Sequence, residues 1–244
     1  MPVCGLILDF DGVIADSEAL ANTVLAETVS EPGRATTLED ALARYMGKRW
    51  PEVVALIEAD IGRTVPEGFS DSLKAATLDR FRMDRREVAG AGAFIQQFAW
   101  LPQCIASSSS LDRLRLCLEL LGLSARFGDK VLSAEMVERG KPHPDIFLLA
   151  AERIGVAPRD CVVIEDSPGG VRAGIAAGMT VVGLSAASHL RAGHARRLVE
   201  AGANYVAADW GEVTDLVSNL RGRSHSASAL AGPHGRLLDS RLPP

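Results

Sequence analysis

Two aspartates, Asp9 and Asp11, flank Phe10 at the end of an apolar run, Cys4-Gly5-Leu6-Ile7-Leu8, and Gly12 follows at once. The run reads as a fully buried strand, and Gly12 lets the chain turn sharply beyond it. In a parallel α/β sheet, ligands bind outside the carboxyl ends of the strands. An Asp-x-Asp placed there offers a nucleophile, a proton carrier and a hard-oxygen metal site in one turn. Alone, the pattern also fits a strand end with solvated acids and a turn glycine.

Three further segments add chemistry. Cys104-Ile105-Ala106 runs into Ser107-Ser108-Ser109-Ser110, and a helical pattern, Leu111–Leu121, follows. Hydroxyls at a strand end just before a helix N-terminus suit an anion, because free N–H groups and the helix dipole both favour it. An ordinary helix cap explains one serine but not four. In Gly140-Lys141-Pro142-His143-Pro144-Asp145, the prolines stiffen the approach to a helix, and Pro144 suits its first turn. The chain has four lysines against 22 arginines. Lys141, held between Gly and Pro, suits a compact point charge for a phosphate or carboxylate; a solvated loop cation is the alternative. His143 receives no role. Finally, Val162-Val163-Ile164 ends in Glu165-Asp166 and a turn toward Gly169-Gly170. Two strands thus end in acid pairs, an arrangement that is costly unless a cation neutralises it. Oxygen donors without a His or Cys cluster favour Mg²⁺ over zinc.

The elements that must position these groups follow a simple rhythm. Apolar runs at Leu6–Leu8, Gln103–Ala106, Cys161–Ile164, Thr180–Leu184 and Tyr205–Ala207 alternate with helical patterns such as Pro144–Ile154. That alternation predicts a parallel sheet covered on both faces. The stretch from Asp16 to Val88 breaks it, with apolar residues at helical intervals and no strong strand candidate. It predicts roughly four helices inserted between the first two strands. Thr36-Thr37-Leu38-Glu39 fits a capping box. Glu31-Pro32-Gly33 and Val65-Pro66-Glu67-Gly68 mark turns. From Gly222 onward the sequence is rich in Ser, Gly, Ala and Pro and predicts a loosely held tail.

Composition narrows the function classes. The 244 residues suffice for one large domain or one domain with an insert, and 47% are hydrophobic, enough for a sizeable core. A net charge of −5 without a basic block argues against a nucleic-acid surface. No run of 18 apolar residues is present, so no membrane span is expected. The sequence enters a strand pattern directly after Met1, unlike a signal peptide. Cys4, Cys104, Cys117 and Cys161 sit apart in apolar contexts and predict buried free thiols in a reducing compartment, hence a cytoplasmic protein.

In order and spacing, Asp9-Phe10-Asp11-Gly12-Val13, Ser107, Lys141-Pro142 and Glu165-Asp166-Ser167 together resemble the haloacid dehalogenase superfamily of phosphohydrolases. The resemblance covers about Val3 to Leu220. It implies an α/β, Rossmann-like catalytic core (1–15 and 89–221), a helical cap of the first type (16–88) and the tail (222–244). Asp16-Ser17-Glu18 and Lys141-Pro142-x-Pro144-Asp145-Ile146-Phe147 look like the branch that holds β-phosphoglucomutase, phosphoglycolate phosphatase and small sugar-phosphate phosphatases. Carried over, the resemblance makes Asp9 the nucleophile that forms an aspartyl-phosphate. Asp11 protonates the leaving oxygen and then activates water. Mg²⁺ is held by the Asp9 carboxylate, the Asp11 backbone carbonyl and Asp166, with Glu165 bound directly or one water away. Ser107, the Ser108 N–H and Lys141 hold the phosphoryl oxygens.

Within the family, Asp11 and the Glu165-Asp166 pair argue against dehalogenases proper, and Asp11 again argues against phosphonoacetaldehyde hydrolases, which replace that second Asp. Similar mutases carry a His where this chain has Ala21 and a Lys where it has Ser110, so hydrolysis is expected over mutase action. A non-catalytic binding module remains an alternative that predicts gaps among the acids, and none is present. Met46-Gly47-Lys48-Arg49-Trp50 lies between two predicted helices, Leu38–Met46 and Pro51–Ile61. In this branch of the family the matching turn, marked by Gly47, is similar to a loop that reaches from the cap over the active site, so Gly47, Lys48 and Arg49, with Trp50, are expected to bind a second anionic group and an apolar or sugar face; an exposed basic turn with Trp50 packed inside the cap is the alternative. The expected partner is a small phosphorylated metabolite, with no nucleic acid or membrane, bound by a monomer or weak homodimer.

Overall fold

The computed structural model describes residues 3–30, 35–45, 50–84, 86–188, 190 and 193–229, with backbone alone for 222–229. Six strands form one sheet: β1 (Gly5–Leu8), β2 (Gln103–Ser107), β3 (Val131–Ser133), β4 (Cys161–Glu165), β5 (Thr180–Leu184) and β6 (Tyr205–Ala207). All pairings are parallel, in the order β3-β2-β1-β4-β5-β6. The short β3 is absent from the sequence expectation, because three residues carry too little pattern to read.

Strand alternation builds the core on both faces. Leu6, Leu8, Val162 and Ile164 point into one apolar cluster, while Ile7, Cys161 and Val163 point into the other. Helices α5 (Ala91–Gln97), α6 (Leu111–Leu120), α7 (Ser124–Phe127), α8 (Asp145–Ile154), α9 (Pro168–Ala176), α10 (His194–Glu200) and α11 (Trp210–Ala229) accompany the sheet. Phe94 of α5 packs on Trp210, whose indole N–H donates to the Val13 carbonyl at 3.1 Å. Helix α11 continues to Ala229, seven residues past the point where the sequence suggested a tail.

Between β1 and β2 lie α1 (Ser17–Val29), α2 (Leu38–Arg44), α3 (Trp50–Ile61) and α4 (Phe69–Met83). Leu25, Val29, Tyr45, Val53 and Ile57 give this segment its own apolar cluster. The capping box is shifted by one residue from expectation: Thr37 caps α2 and exchanges hydrogen bonds with Asp40. The chain enters and leaves the segment side by side, through an antiparallel bridge between Ala15 and Glu87 and the Val88 N–H bond to the Ile14 carbonyl at 2.8 Å. Cys104, Cys117 and Cys161 are buried free thiols; Cys4 is exposed, because it precedes β1 rather than belonging to it.

Candidate active site

The strand order reverses direction at β1, so a crevice opens outside the carboxyl ends of β1 and β4. Register fixes what meets there. Leu8 pairs with Ile164 on one side and Ile105 on the other. Asp9 therefore emerges level with Glu165, and its N–H donates to the Ile164 carbonyl at 2.9 Å. Asp166 follows, and carboxylate oxygens of Asp9, Glu165 and Asp166 lie within 4.8 Å of one another. The loop before α8 delivers Lys141, whose Nζ donates to Asp9 Oδ1 at 2.6 Å and to Glu165 Oε2 at 2.7 Å. Its side chain is 6% exposed, and the Phe147 ring lies 4.9 Å from the ammonium.

The other oxygen of Glu165 is also engaged. Oε1 accepts from the Ser167 N–H at 2.9 Å and the Ser167 hydroxyl at 2.8 Å. Ser167 in turn caps α9 by accepting from the Gly170 N–H at 3.0 Å. Two glycines make the crowding possible. A Cβ at Gly170 would overlap the Glu165 carboxylate, and one at Gly12, whose φ is +79°, would overlap Asp166 Oδ2.

Electrostatics follow from this crowding. Burial and the neighbouring Glu165 push the Asp9 carboxyl up to about 7, against the opposing pull of Lys141. Burial, then Glu165 and Asp9, raise Asp166 well above the usual range. Lys141 is held protonated: its pair of carboxylates outweighs the burial that opposes its charge. Were all three carboxylates ionised, the one ammonium would leave two negative charges uncompensated, which, added to burial, is why Asp9 and Asp166 hold their protons so tightly. An all-oxygen donor set short of two charges fits a hard divalent cation. On the rim, His194 Nε2 lies 2.6 Å from the Asp166 carbonyl, and Arg197 meets Nδ1 at 2.9 Å. A guanidinium can only donate, so Nε2 carries the ring proton and donates to that carbonyl.

Asp11 faces elsewhere. Its carboxylate is gripped by Arg113 of α6, with N–O distances of 2.6 and 2.8 Å, and accepts from the Ser109 hydroxyl at 2.6 Å and the Ser17 hydroxyl. Burial opposes its charge, but Arg113 and the two hydroxyls outweigh it and hold the carboxyl below its ordinary range. Ser107, buried at the end of β2, accepts from the Ser109 N–H at 3.1 Å, and Ser108 is exposed. Asp9, Lys141, Asp166, Ser107 and Ser108 line a cavity of about 410 Å³. A second cavity of about 370 Å³ lies between the sheet and the helical segment, bounded by Arg113, Asn22, Leu25, Trp50 and Lys74. Asp11, Glu18 and Ser109 line both.

Residues 5–178 match the profile of the haloacid dehalogenase-like hydrolases. The chain belongs to that family. It is 26% identical to the 6-phosphogluconate phosphatase of Escherichia coli (strain K12) and 30% identical to hexitol phosphatase A of the same organism. In both cases the match covers 75% of this chain and 83% of the relative. A haloacid dehalogenase family hydrolase from Deinococcus radiodurans R1, solved with bound phosphate and sodium, is 31% identical with a TM-score of 0.74. That match covers 95% of this chain and 99% of the other.

The fold brings Asp9, Lys141, Glu165 and Asp166 together. The Asp11 carboxylate stands outside that acid cluster, because Arg113 and two hydroxyls claim it. Gly47, Lys48 and Arg49 lie outside the described residues. Trp50 is 38% exposed at the second cavity rather than packed away, with its ring stacked 6.4 Å from Phe69 and its N–H donating to Ser70. Sequence reasoning missed Arg113 and His194, and it gave Ser17 and Ser109, each inside a segment it singled out, no role of their own. No local signal marked Arg113, because Ser109 precedes the N-cap Ser110 of α6 and Asp11 lies 102 residues away in sequence.

Proposed function

We propose that the protein is a Mg²⁺-dependent phosphatase that hydrolyses a small phosphorylated sugar, sugar alcohol or related acid through an aspartyl-phosphate on Asp9. The observation that carries the reading is the Asp9–Lys141–Glu165–Asp166 cluster, three carboxylates buried at the strand ends around a single ammonium. The names of its relatives, phosphatases of 6-phosphogluconate and of hexitols, support the substrate class.

In this reading Asp9, Asp166 and the Asp11 backbone carbonyl hold Mg²⁺, and Glu165, already bound by Lys141 and Ser167, supports the site from beside it. The metal supplies charge neutralisation for the phosphoryl group. Ser107, the Ser108 N–H and Lys141 orient the phosphoryl oxygens. Asp9 attacks phosphorus as the bond to the leaving oxygen breaks, and Asp11 gives that oxygen a proton. Water then attacks the same phosphorus, Asp11 takes a proton from it, and Asp9 leaves as a free carboxylate. The work is mostly positioning and charge neutralisation, as phosphoryl transfer requires.

Residues 16–88 serve as the cap over this site. Ala21 and Ser110 line the second cavity, so neither side chain there can supply the imidazole or ammonium that similar mutases carry. This favours hydrolysis over mutase action. The acting form is a cytoplasmic monomer or weak homodimer.

The test is phosphate release from a panel of sugar, sugar-alcohol and sugar-acid phosphates, with Mg²⁺ and with chelator. Wild type should require Mg²⁺, and Asp9→Asn should be inactive, because an amide is a poor nucleophile and a poor metal ligand. An Asp9→Asn protein keeping more than a few per cent of the rate, or full activity in chelator, would refute the reading.

A further inference from the structure

We propose that Arg113 is the receptor for a second anionic group on the substrate, a carboxylate or a second phosphate, and that Asp11 occupies it in the resting enzyme. This rests on the phosphatase reading and names a substrate class within it.

The argument starts from the acceptor capacity of one carboxylate. An ionised Asp offers about four acceptor positions. Oδ1 of Asp11 accepts from Arg113 and Ser17, and Oδ2 accepts from Arg113 and Ser109. All four are filled, so Asp11 in this pose takes no hydrogen bond from a substrate or a water. To serve the reaction it must release at least part of that grip. The released partner is a guanidinium whose side chain is only 26% exposed, and whose planar fork pairs through two N–H groups with two oxygens of a carboxylate or a phosphate.

Position says which anion can take the vacated place. Arg113 lines the cavity between sheet and helical segment, and is absent from the lining of the phosphoryl cavity. The two cavities meet at Asp11, Glu18 and Ser109. A substrate with its phosphoryl group at Asp9 extends its body past Asp11 into the space beside Arg113 and Lys74. A second anion on that body exchanges with Asp11 at the guanidinium. The exchange frees Asp11 to face the scissile bond, so the second anion is felt in kcat as well as KM. A neutral polyol offers no such exchange and leaves Asp11 gripped for more of the time.

The experiment compares three esters: 6-phosphogluconate, a hexitol 6-phosphate and a hexose bisphosphate. Steady-state kinetics are measured for wild type, Arg113→Gln and Arg113→Lys. Calorimetric binding of the same esters to Asp9→Asn and Asp9→Asn/Arg113→Gln proteins gives a readout independent of turnover. In wild type, kcat/KM for at least one anion-bearing ester should exceed that for the hexitol ester at least tenfold. Arg113→Gln should bring the ratio to within twofold, and Arg113→Lys should keep part of it. Whether the acid or the bisphosphate leads identifies the anion. A wild type that treats the hexitol ester as well as the other two overturns the proposal, whatever the variants do. So does an Arg113→Gln protein that loses activity equally on all three, which would mark a positioning role alone. If no ester is hydrolysed but binding to Asp9→Asn shows the Arg113-dependent preference, the phosphatase reading fails and the anion receptor stands. If binding too is indifferent to the second anion, the receptor fails.

Discussion

Replacing Lys141 with methionine separates structure from chemistry at this site. Methionine keeps much of the length of the lysine stem and packs against Phe147, so the change removes charge more than volume. Lys141, Asp9 and Glu165 have side chains 6%, 9% and 1% exposed. Solvent screening, which makes surface pairs worth little, is therefore weak here. Removing one partner of a buried ion pair costs about 3–5 kcal/mol, because the remaining charge stays buried and unpaired. Here one cation serves two acids, so the upper part of that range is expected in urea unfolding with chelator at pH 8. The sign of the pH dependence is fixed. Burial and Glu165 already raise Asp9 to about 7, and Lys141 opposes that rise. Without Lys141 the folded carboxyl binds its proton more tightly than the unfolded one, so stability falls as pH rises. The loss should be smaller at pH 6 than at pH 8. Mg²⁺ at a hundredfold excess over its dissociation constant should return about 2.7 kcal/mol, if it binds the folded state alone. Lys74→Met is the control, since Lys74 and its partner Asp71 are 77% and 87% exposed; it should unfold like wild type. A Lys141→Met protein within about 1 kcal/mol of wild type in chelator at pH 8 would refute the account of a charge-starved cluster.

Asp11→Asn should leave unfolding by heat cooperative but lower kcat at least about 10²-fold, the usual loss for an acid–base group; a smaller loss would deny Asp11 that role. Gly170→Ala should push Glu165 off Lys141 and destabilise the protein by about 1–3 kcal/mol, as overpacking does, with the Mg²⁺ midpoint moving upward in activity titrations. On the proposed reading Asp9 must lose its proton to hold Mg²⁺, and since burial raises it to about 7, that midpoint in wild type should rise as pH falls below 7, by up to about tenfold per unit for one proton. Thiol labelling of the folded protein should modify Cys4 first, since burial pushes Cys104 and Cys161 up to about 12 and Cys117 to about 11.

The sequence was most legible where burial is two-sided. β1, β2 and β4 are apolar on both faces, so their runs and the polar residues ending them stood out. The acid cluster could be inferred because each member ends such a run. Arg113 was hidden for the opposite reason. It is one arginine among 22, and its partner lies 102 residues away in sequence. The pairing exists only because β1 and β2 are neighbours, a fact of topology rather than of local pattern. β3 was missed because it is a three-residue edge strand. The capping box was off by one because Thr36 and Thr37 are chemically equivalent candidates, and only the backbone decides which one turns the chain.

The strand order also governs how the chain comes to be folded. β1 is the centre of the sheet, yet its neighbours begin only at Gln103 and Cys161. During synthesis this apolar strand waits, both edges open, while the whole helical segment is made, and one edge stays open until β4 emerges. Unpaired apolar edges are where chains associate with one another. Non-local pairing of this kind is slow, since loop closure must precede the contacts that reward it. Nascent chains ending before Cys161 should thus be the ones that chaperones bind and that aggregate, and Asp9 and Asp11, carried just past the tip of that waiting strand, meet Glu165 and Asp166 only after that.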